Sequence, residues 1–175
     1  MEYSAKYVKF KSMKIGIISD THDGLANAAK AAEVFGHQGV NYIFHAGDIE
    51  SGDTAEMFAG SNGAKFIAVY GNCDMERAEL AEAIENFGGE ISETYEGRVG
   101  GKRIFMAHKP ELANGAIETG KFDLVIHGHT HKFDIHRAGG TLVVNPGAAK
   151  RWQMGNPRVV IVELEDLTAE AVSLI

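Results

Sequence analysis

The sequence predicts an α/β fold: two mixed β-sheets packed face to face with helices on the outside, a four-layer αββα sandwich. Three observations carry this. Over the first half, buried-strand patterns alternate with helix patterns in a βαβαβ rhythm, which calls for parallel strands joined by helical crossovers. Over the second half, strand-like runs arrive close together with one helical stretch among them. Pairs of those runs are joined by Gly100-Gly101 and Gly139-Gly140, the signature of hairpins.

The elements follow in order. Ile15–Ser19 is an apolar run fit for a buried strand, and Leu25–Gln38 is helical with an apolar face of Ala28, Ala31, Ala32 and Phe35. Tyr42–Ala46 is a second strand, followed by a helix around Thr54–Ala59. Phe66–Tyr70 is a third, with a helix over Glu76–Asn86. Strand patterns then cover Ile91–Val99, Arg103–Ala107, Leu124–His127, Phe133–Arg137, Thr141–Asn145, Val159–Glu165 and Ala169–Ile175, and Glu111–Thr119 is the lone helix among them. Residues 1–12 look like an extension or tail ahead of one domain at 13–175. Within them Tyr7–Lys11 alternates like an edge strand, and reads as that, a cloning remnant or a frayed tail.

Composition narrows the function classes. At 175 residues, 45% hydrophobic and 23% charged, the chain suits one globular domain with a full core. A formal net charge of −7 argues against extended nucleic acid or an acidic membrane surface as partner. The single cysteine, Cys73, excludes an intrachain disulfide and points to a reducing compartment. The polar N-terminus is unlike a signal peptide and no apolar run is long enough to span a bilayer, so the expectation is a cytoplasmic protein.

Five short polar signatures punctuate the chain: Asp20-Thr21-His22, Gly47-Asp48, Gly71-Asn72, His108 and Gly128-His129-Thr130-His131. Asp20, Asp48 and Asn72 each follow an apolar strand, and in open α/β sheets ligands bind at strand carboxyl ends. His129 and His131 follow Leu124–His127 likewise, and His108 follows Arg103–Ala107. A glycine precedes Asp48, Asn72 and His129, allowing a sharp exit and close backbone approach to an ion; any one alone would be plain turn chemistry. Two carboxylates, one amide and four imidazoles suit two divalent ions of Mn, Zn, Fe, Ni or Co, with manganese placed first, and thiolate ligation is absent. Such a site stays cationic and fits hydrolysis of an anionic ester.

The constellation resembles the calcineurin-like metallophosphoesterase superfamily, and more narrowly its small bacterial and archaeal phosphodiesterases. The motifs are Ser19-Asp20-Thr21-His22, Gly47-Asp48, Gly71-Asn72-Cys73-Asp74, Ala107-His108 and Gly128-His129-Thr130-His131, followed by Asn145-Pro146-Gly147. The resemblance implies that Asp20, His22 and His131 bind one ion, that Asn72, His108 and His129 bind the other, and that Asp48 bridges them. It implies P–O ester hydrolysis by a metal-bridging hydroxide, without a covalent enzyme intermediate. Asp48, Asn72, Asp74 and His108 are then the catalytic candidates, and Asn72, Cys73, Arg77 and Lys109 the substrate contacts. The substrate that the resemblance implies is a small phosphate ester, and homo-oligomers are in keeping with it.

Two departures stand out. Many relatives carry His where this chain has Cys73, and a neutral thiol is a poor proton donor. Asp74, which would steady that imidazole, remains. Losing a general acid costs roughly 10²–10⁴-fold, which favours good leaving groups such as aryl phosphodiesters. The second is His108-Lys109-Pro110, where relatives often show His-Gly-His. Lys109 then either meets a substrate anion or simply precedes a helix begun by Pro110.

Among the remaining polar residues, His45 and His127 read as satisfied core or supporting imidazoles, and His37 and His136 as surface. Arg77 either holds a substrate phosphate or caps a local carboxylate network. Lys150 and Arg151 read as an ordinary basic loop that could rim the pocket. The competing function is a catalytically weak or inactive member serving as a protein-interaction platform, as the retromer subunit of this fold class does.

Overall fold

The computed structural model describes residues 12–150 and 155–175; Tyr7–Lys11 and Arg151 lie outside them. Strand β1 (Lys14–Ile18) leads into helix α1 (Leu25–Gln38), β2 (Tyr42–His45) into α2 (Gly52–Glu56), and β3 (Lys65–Val69) into α3 (Arg77–Asn86) and β4 (Glu90–Ser92). These strands pair in parallel, β1 with β2, β2 with β3 and β3 with β4. The second half supplies β5 (Thr94–Val99), β6 (Lys102–Ala107), α4 (Pro110–Glu118), β7 (Leu124–Ile126), β8 (Asp134–Ala138), β9 (Thr141–Asn145), β10 (Arg158–Glu163) and β11 (Thr168–Ser173). One sheet runs β11-β10-β1-β2-β3-β4 and the other β5-β6-β7-β9-β8. Both are mixed, because β10 and β11 join the first antiparallel and β5 and β8 join the second antiparallel.

Period-two alternation assigns each strand residue to a layer. Ile15 and Ile17 of β1, Phe44 of β2, Leu124 and Ile126 of β7 and Val160 and Val162 of β10 meet between the sheets. Ile18, Ile43, Val159 and Ile161 face the other way and pack with Ala28, Ala31 and Phe35 of α1, Ala55 of α2 and Leu80 and Ile84 of α3. Val125 turns outward onto Ala113 and Ala116 of α4. Three apolar layers between four layers of secondary structure are the predicted sandwich. Among the described residues no helix is long and apolar enough to cross a membrane.

Most boundaries shift by one to three residues from the sequence reading, and two differences matter to the architecture. The run Ile91–Val99 breaks at Glu93: β4 stays with β3 in the first sheet, whereas β5 pairs with β6 in the second. Ile91, Tyr95 and Val99 keep one parity across this corner, with the exposed Glu93 in phase at the break, so the strand pattern reads as a single run. Hydrogen bonds fix the change of sheet, with Ser92 Oγ donating to the Thr94 carbonyl at 2.9 Å and Tyr70 N–H donating to the Ser92 carbonyl at 2.9 Å. Helix α2 also starts earlier than Thr54, because Ser51 caps it, its Oγ accepting from Thr54 N–H at 3.3 Å.

Candidate metal centre

The parallel order β1-β2-β3 sets the carboxyl ends of three neighbouring strands side by side, and Asp20, Asp48 and Asn72 stand on the loops leaving them. The parallel pair β6-β7 does the same for His108, His129 and His131 in the opposite sheet. The chain leaves these strands through unusual backbone. Asp20, His22, Asp23, Asp48, Glu50, His129 and His131 all have φ between 45° and 80°. Left-handed conformations cost non-glycine residues free energy, and their concentration at one place marks a functional region. The preceding glycines are there for space. A Cβ on Gly71 would collide with Asp48 Oδ1 and the Asp48 nitrogen, and one on Gly128 would collide with Ser19 Oγ and lie 2.6 Å from Asp20 Oδ2.

All seven predicted side chains come together. His131 Nε2 lies 3.3 Å from Asp20 Oδ1, and His22 Nε2 lies 3.9 Å from the same oxygen, 3.7 Å from Asp48 Oδ2 and 3.2 Å from His131 Nε2. His108 Nε2 lies 3.3 Å from Asp48 Oδ2, 3.1 Å from Asn72 Oδ1 and 3.2 Å from His129 Nδ1. One donor atom from each of Asp20, His22, Asp48 and His131 falls within 4.8 Å of the others, a spacing that could hold a metal ion. Asp48 Oδ2 faces both imidazole groups, one through His22 and one through His108.

The two aspartates are built alike. Asp20 Oδ2 accepts from Ser19 Oγ at 2.5 Å and from His129 N–H at 3.1 Å, and Asp48 Oδ1 accepts from Cys73 N–H at 2.8 Å. Each therefore has one oxygen tied to the protein and one turned toward imidazoles. Asp20 is fully buried, yet its Oδ1 accepts no hydrogen bond from the described residues. A buried carboxylate oxygen left in that state is costly unless a cation answers it. Burial pushes the Asp20 carboxyl above its usual range, against the Ser19 hydrogen bond and the imidazoles of His108 and His131.

The other end of the cluster carries the same message. His108 Nδ1 is 2.7 Å from the Ala46 carbonyl, which can only accept, so Nδ1 holds a hydrogen. The lone pair of Nε2 then converges with the oxygens of Asn72 and Asp48. Converging acceptors demand a cation among them, whether a proton or a metal. Burial alone would lower the basicity of His108, but the hydrogen bonds to Asp48 and Ala46 and the charges of Asp20 and Asp48 outweigh it and raise it. Burial alone would raise Asp48; a hydrogen bond from His108 when that ring carries its second proton, and the one from Cys73 N–H, hold it below the ordinary carboxylate range. An orphaned buried oxygen, converging lone pairs and a donor set of carboxylate, amide and imidazole all fit divalent ions.

Several supporting residues were not legible in advance. Asp74, a catalytic candidate and the group that would steady an imidazole at position 73, commits its carboxylate to the backbone. Its carboxylate is buried and accepts from the backbone N–H groups of Asp48 (3.1 Å), Ile49 (2.8 Å), Glu50 (2.7 Å) and Gly71 (2.6 Å), lacing the β2 exit to the β3 exit. Asn145, at the end of β9, donates to Gly128 O at 3.2 Å and Thr130 Oγ1 at 2.9 Å, shaping the loop that carries His129 and His131. Lys150 Nζ donates to the His22 carbonyl at 2.6 Å. His45 is the supporting imidazole the sequence suggested. Its Nδ1 accepts from Gly47 N–H at 3.3 Å and its Nε2 lies 3.1 Å from Thr21 Oγ1. Ser19 belongs to the first motif, and its short polar bond to Asp20 has no sequence signal beyond adjacency.

A model of the calcineurin-like phosphoesterase superfamily domain matches residues 13–167. The chain belongs to that superfamily. It is 36% identical over 157 residues to phosphodiesterase MJ0936 of Methanocaldococcus jannaschii, covering 87% of this chain and 94% of that protein. It is 29% identical over 163 residues to a probable metallophosphoesterase of Methanothermobacter thermautotrophicus, covering 91% and 92%. Among solved structures an archaeal phosphodiesterase superposes with a TM-score of 0.86 at 33% identity, covering 92% of this chain and 99% of that one.

In this calcineurin-like phosphoesterase a cleft of about 360 Å³ opens beside Asn72 and His108, lined also by Tyr70, Arg77, Glu93, Lys109 and Leu112. Arg77 pairs with Glu93 and lies over the Tyr70 ring, 4.6 Å from its centroid. That is the carboxylate-network arrangement, with the guanidinium charge answered locally. Lys109 is exposed at the start of α4, where Pro110 takes the first helical turn. Cys73 receives the Asn72 amide on its sulfur at 3.3 Å. Burial first, and then the negative charge of Asp48, push its thiol up to about 11.

Proposed function

We propose that this superfamily member is a phosphodiesterase that hydrolyses a small phosphate ester with two divalent metal ions, manganese foremost. The observation that carries the reading is the convergence of Asp20, His22, Asp48 and His131 around a buried carboxylate oxygen that lacks a hydrogen bond among the described residues. Asp20, His22 and His131 would hold one ion, and Asn72, His108 and His129 the other, with Asp48 shared. The 36% identity to a curated phosphodiesterase supports the diesterase assignment. Bound ions would supply Lewis-acid charge to the phosphoryl oxygens and a water made acidic near neutral pH.

The chain's own groups then set the rest of the chemistry. Asp48 and Asn72 are fixed by backbone and thiol contacts before substrate arrives, so little reorganisation is required. Lys109 and Arg77 flank the cleft beside Asn72, where an ester substituent would sit; Lys109 offers it a positive charge, whereas Arg77 is already paired. Cys73 stays a neutral thiol at pH 7, so the leaving oxygen departs without a strong acid beside it. Substrates with acidic leaving groups, aryl diesters above all, are therefore favoured. A metal-by-substrate screen over phosphomonoesters, aryl diesters and cyclic nucleotides tests the reading, with Asp48→Ala as control. Metal-dependent turnover of bis-aryl phosphate that Asp48→Ala abolishes supports it. Inertness on every ester with every metal would leave the interaction-platform function standing instead.

A further inference from the structure

Glu50 lies two residues past Asp48 on the loop leaving β2, in left-handed backbone with φ of 80°. Its N–H is held by Asp74, which directs the side chain back across the centre. Glu50 Oε1 sits 2.6 Å from Nδ1 of His22. An ionised carboxylate has only lone pairs to offer, so the hydrogen between them belongs to Nδ1. A neutral imidazole carries one N–H, which leaves the lone pair on Nε2. Nε2 is the nitrogen that faces Asp48, Asp20 and His131. The ring is 4% exposed and packs edge-on against His131 with centroids 5.1 Å apart, so the carboxylate also sets its plane.

We propose that Glu50 is a positioning residue that fixes His22 in the Nδ1–H form and aims Nε2 at the ion shared with Asp20, Asp48 and His131. The inference rests on the two-ion reading above and adds to it a residue outside the motif set. Carboxylate–imidazole pairs of this kind orient ligands, and losing one lowers metal affinity about 10–100-fold.

Competition titration of the apoprotein with Mn²⁺ or Zn²⁺ against a chelating dye reads the affinity directly, and long-range ¹H–¹⁵N spectra of histidine-labelled apoprotein read the His22 tautomer. Glu50→Ala is expected to weaken the tighter ion about 10–100-fold and to lose the single Nδ1–H form. Glu50→Gln keeps a carbonyl acceptor for Nδ1–H and is expected to recover most of both. Glu50, His22 and Cys73 also have donor atoms within 4.8 Å of one another, which offers a contrary outcome. Were Glu50 itself a ligand, Glu50→Gln would be as weak as Glu50→Ala and Cys73→Ser would weaken binding too; either result overturns the positioning role. An Nε2–H tautomer in the wild type, or unchanged affinity in Glu50→Ala, overturns it as well. If the wild type binds no divalent ion, the two-ion reading falls with it, a result distinct from a wild type that binds and a Glu50→Ala that matches it.

Discussion

Replacing Asp74 tests how the centre is held. The carboxylate is 2% exposed and accepts four backbone N–H groups, Ile49 and Glu50 on Oδ1 and Asp48 and Gly71 on Oδ2. Asp74→Asn retains one carbonyl oxygen, which serves the Ile49 and Glu50 pair. Its NH₂ then faces the two remaining N–H groups, donor against donor. Two buried donors lose their acceptor, at roughly 1–3 kcal/mol each, so the variant is expected to be about 2–6 kcal/mol less stable. Asp74→Ala strands all four and removes most of the 5–15 kcal/mol or so that a domain of this size has. Urea unfolding of the apoprotein at pH 7.5 measures the loss, with an unchanged slope showing that only stability moved. The asparagine variant should also bind Mn²⁺ more weakly, since the Asp48 and Gly71 backbones are pushed apart. Stability within about 0.5 kcal/mol of wild type would refute the lacing role, because that is the scatter of an ordinary surface substitution.

Four further outcomes are expected. Gly128→Ala places a methyl against Ser19 Oγ and Asp20 Oδ2, so it should lower both Mn²⁺ affinity and melting temperature; wild-type values in both would contradict the close approach. His45 is buried neutral, its pKa lowered to about 3 from an ordinary 6.5 chiefly by burial and then by His108. Its folded value is depressed, so stability is complete above pH 6.5 and falls as the unfolded chain takes up a proton that the native chain refuses, about 2 kcal/mol lost by pH 5. Urea unfolding at pH 7.5 and 5.0 checks this, and His45→Gln should flatten the slope. Cys73→His should raise turnover on alkyl diesters relative to aryl diesters, and equal ratios in both proteins would remove the leaving-group argument. Stripping metal with a chelator should lower the melting temperature, by the equivalent of about 2.7 kcal/mol for an ion present at a hundred times its dissociation constant.

The legible part of the molecule was its punctuation. Apolar runs ending in Asp20, Asp48, Asn72, His108 and His129 announce strand ends, because a buried strand has to surrender its apolar pattern where a polar loop begins. The order of those runs, with helices between the early ones, announces parallel neighbours. The corner at Glu93 was not legible: Ile91 and Tyr95 share one parity in the sequence, yet Ile91 packs on the helix side of the first sheet and Tyr95 between the two sheets. The partners of Asp74 were not legible for a related reason. Its neighbours in sequence suggested a side-chain partner, whereas its bonds go to the backbone of residues that lie 24 to 26 positions away in the chain or at the turn three residues back. Glu50, Asn145 and Lys150 act across the fold on groups that a linear reading has no means of pairing.

Of the seven side chains at the centre, Asp20, His22, Asp48 and Asn72 leave one sheet, and His108, His129 and His131 leave the other. An ion coordinated by both groups would be a rivet through the sandwich. Sliding one sheet past the other by an ångström would pull the imidazoles off the carboxylates while leaving every strand pairing intact. The apolar layer between the sheets, where Ile17, Phe44, Ile126 and Val144 meet, thus sets the jaw width of the centre, and a methylene gained or lost there reaches the chemistry without touching it.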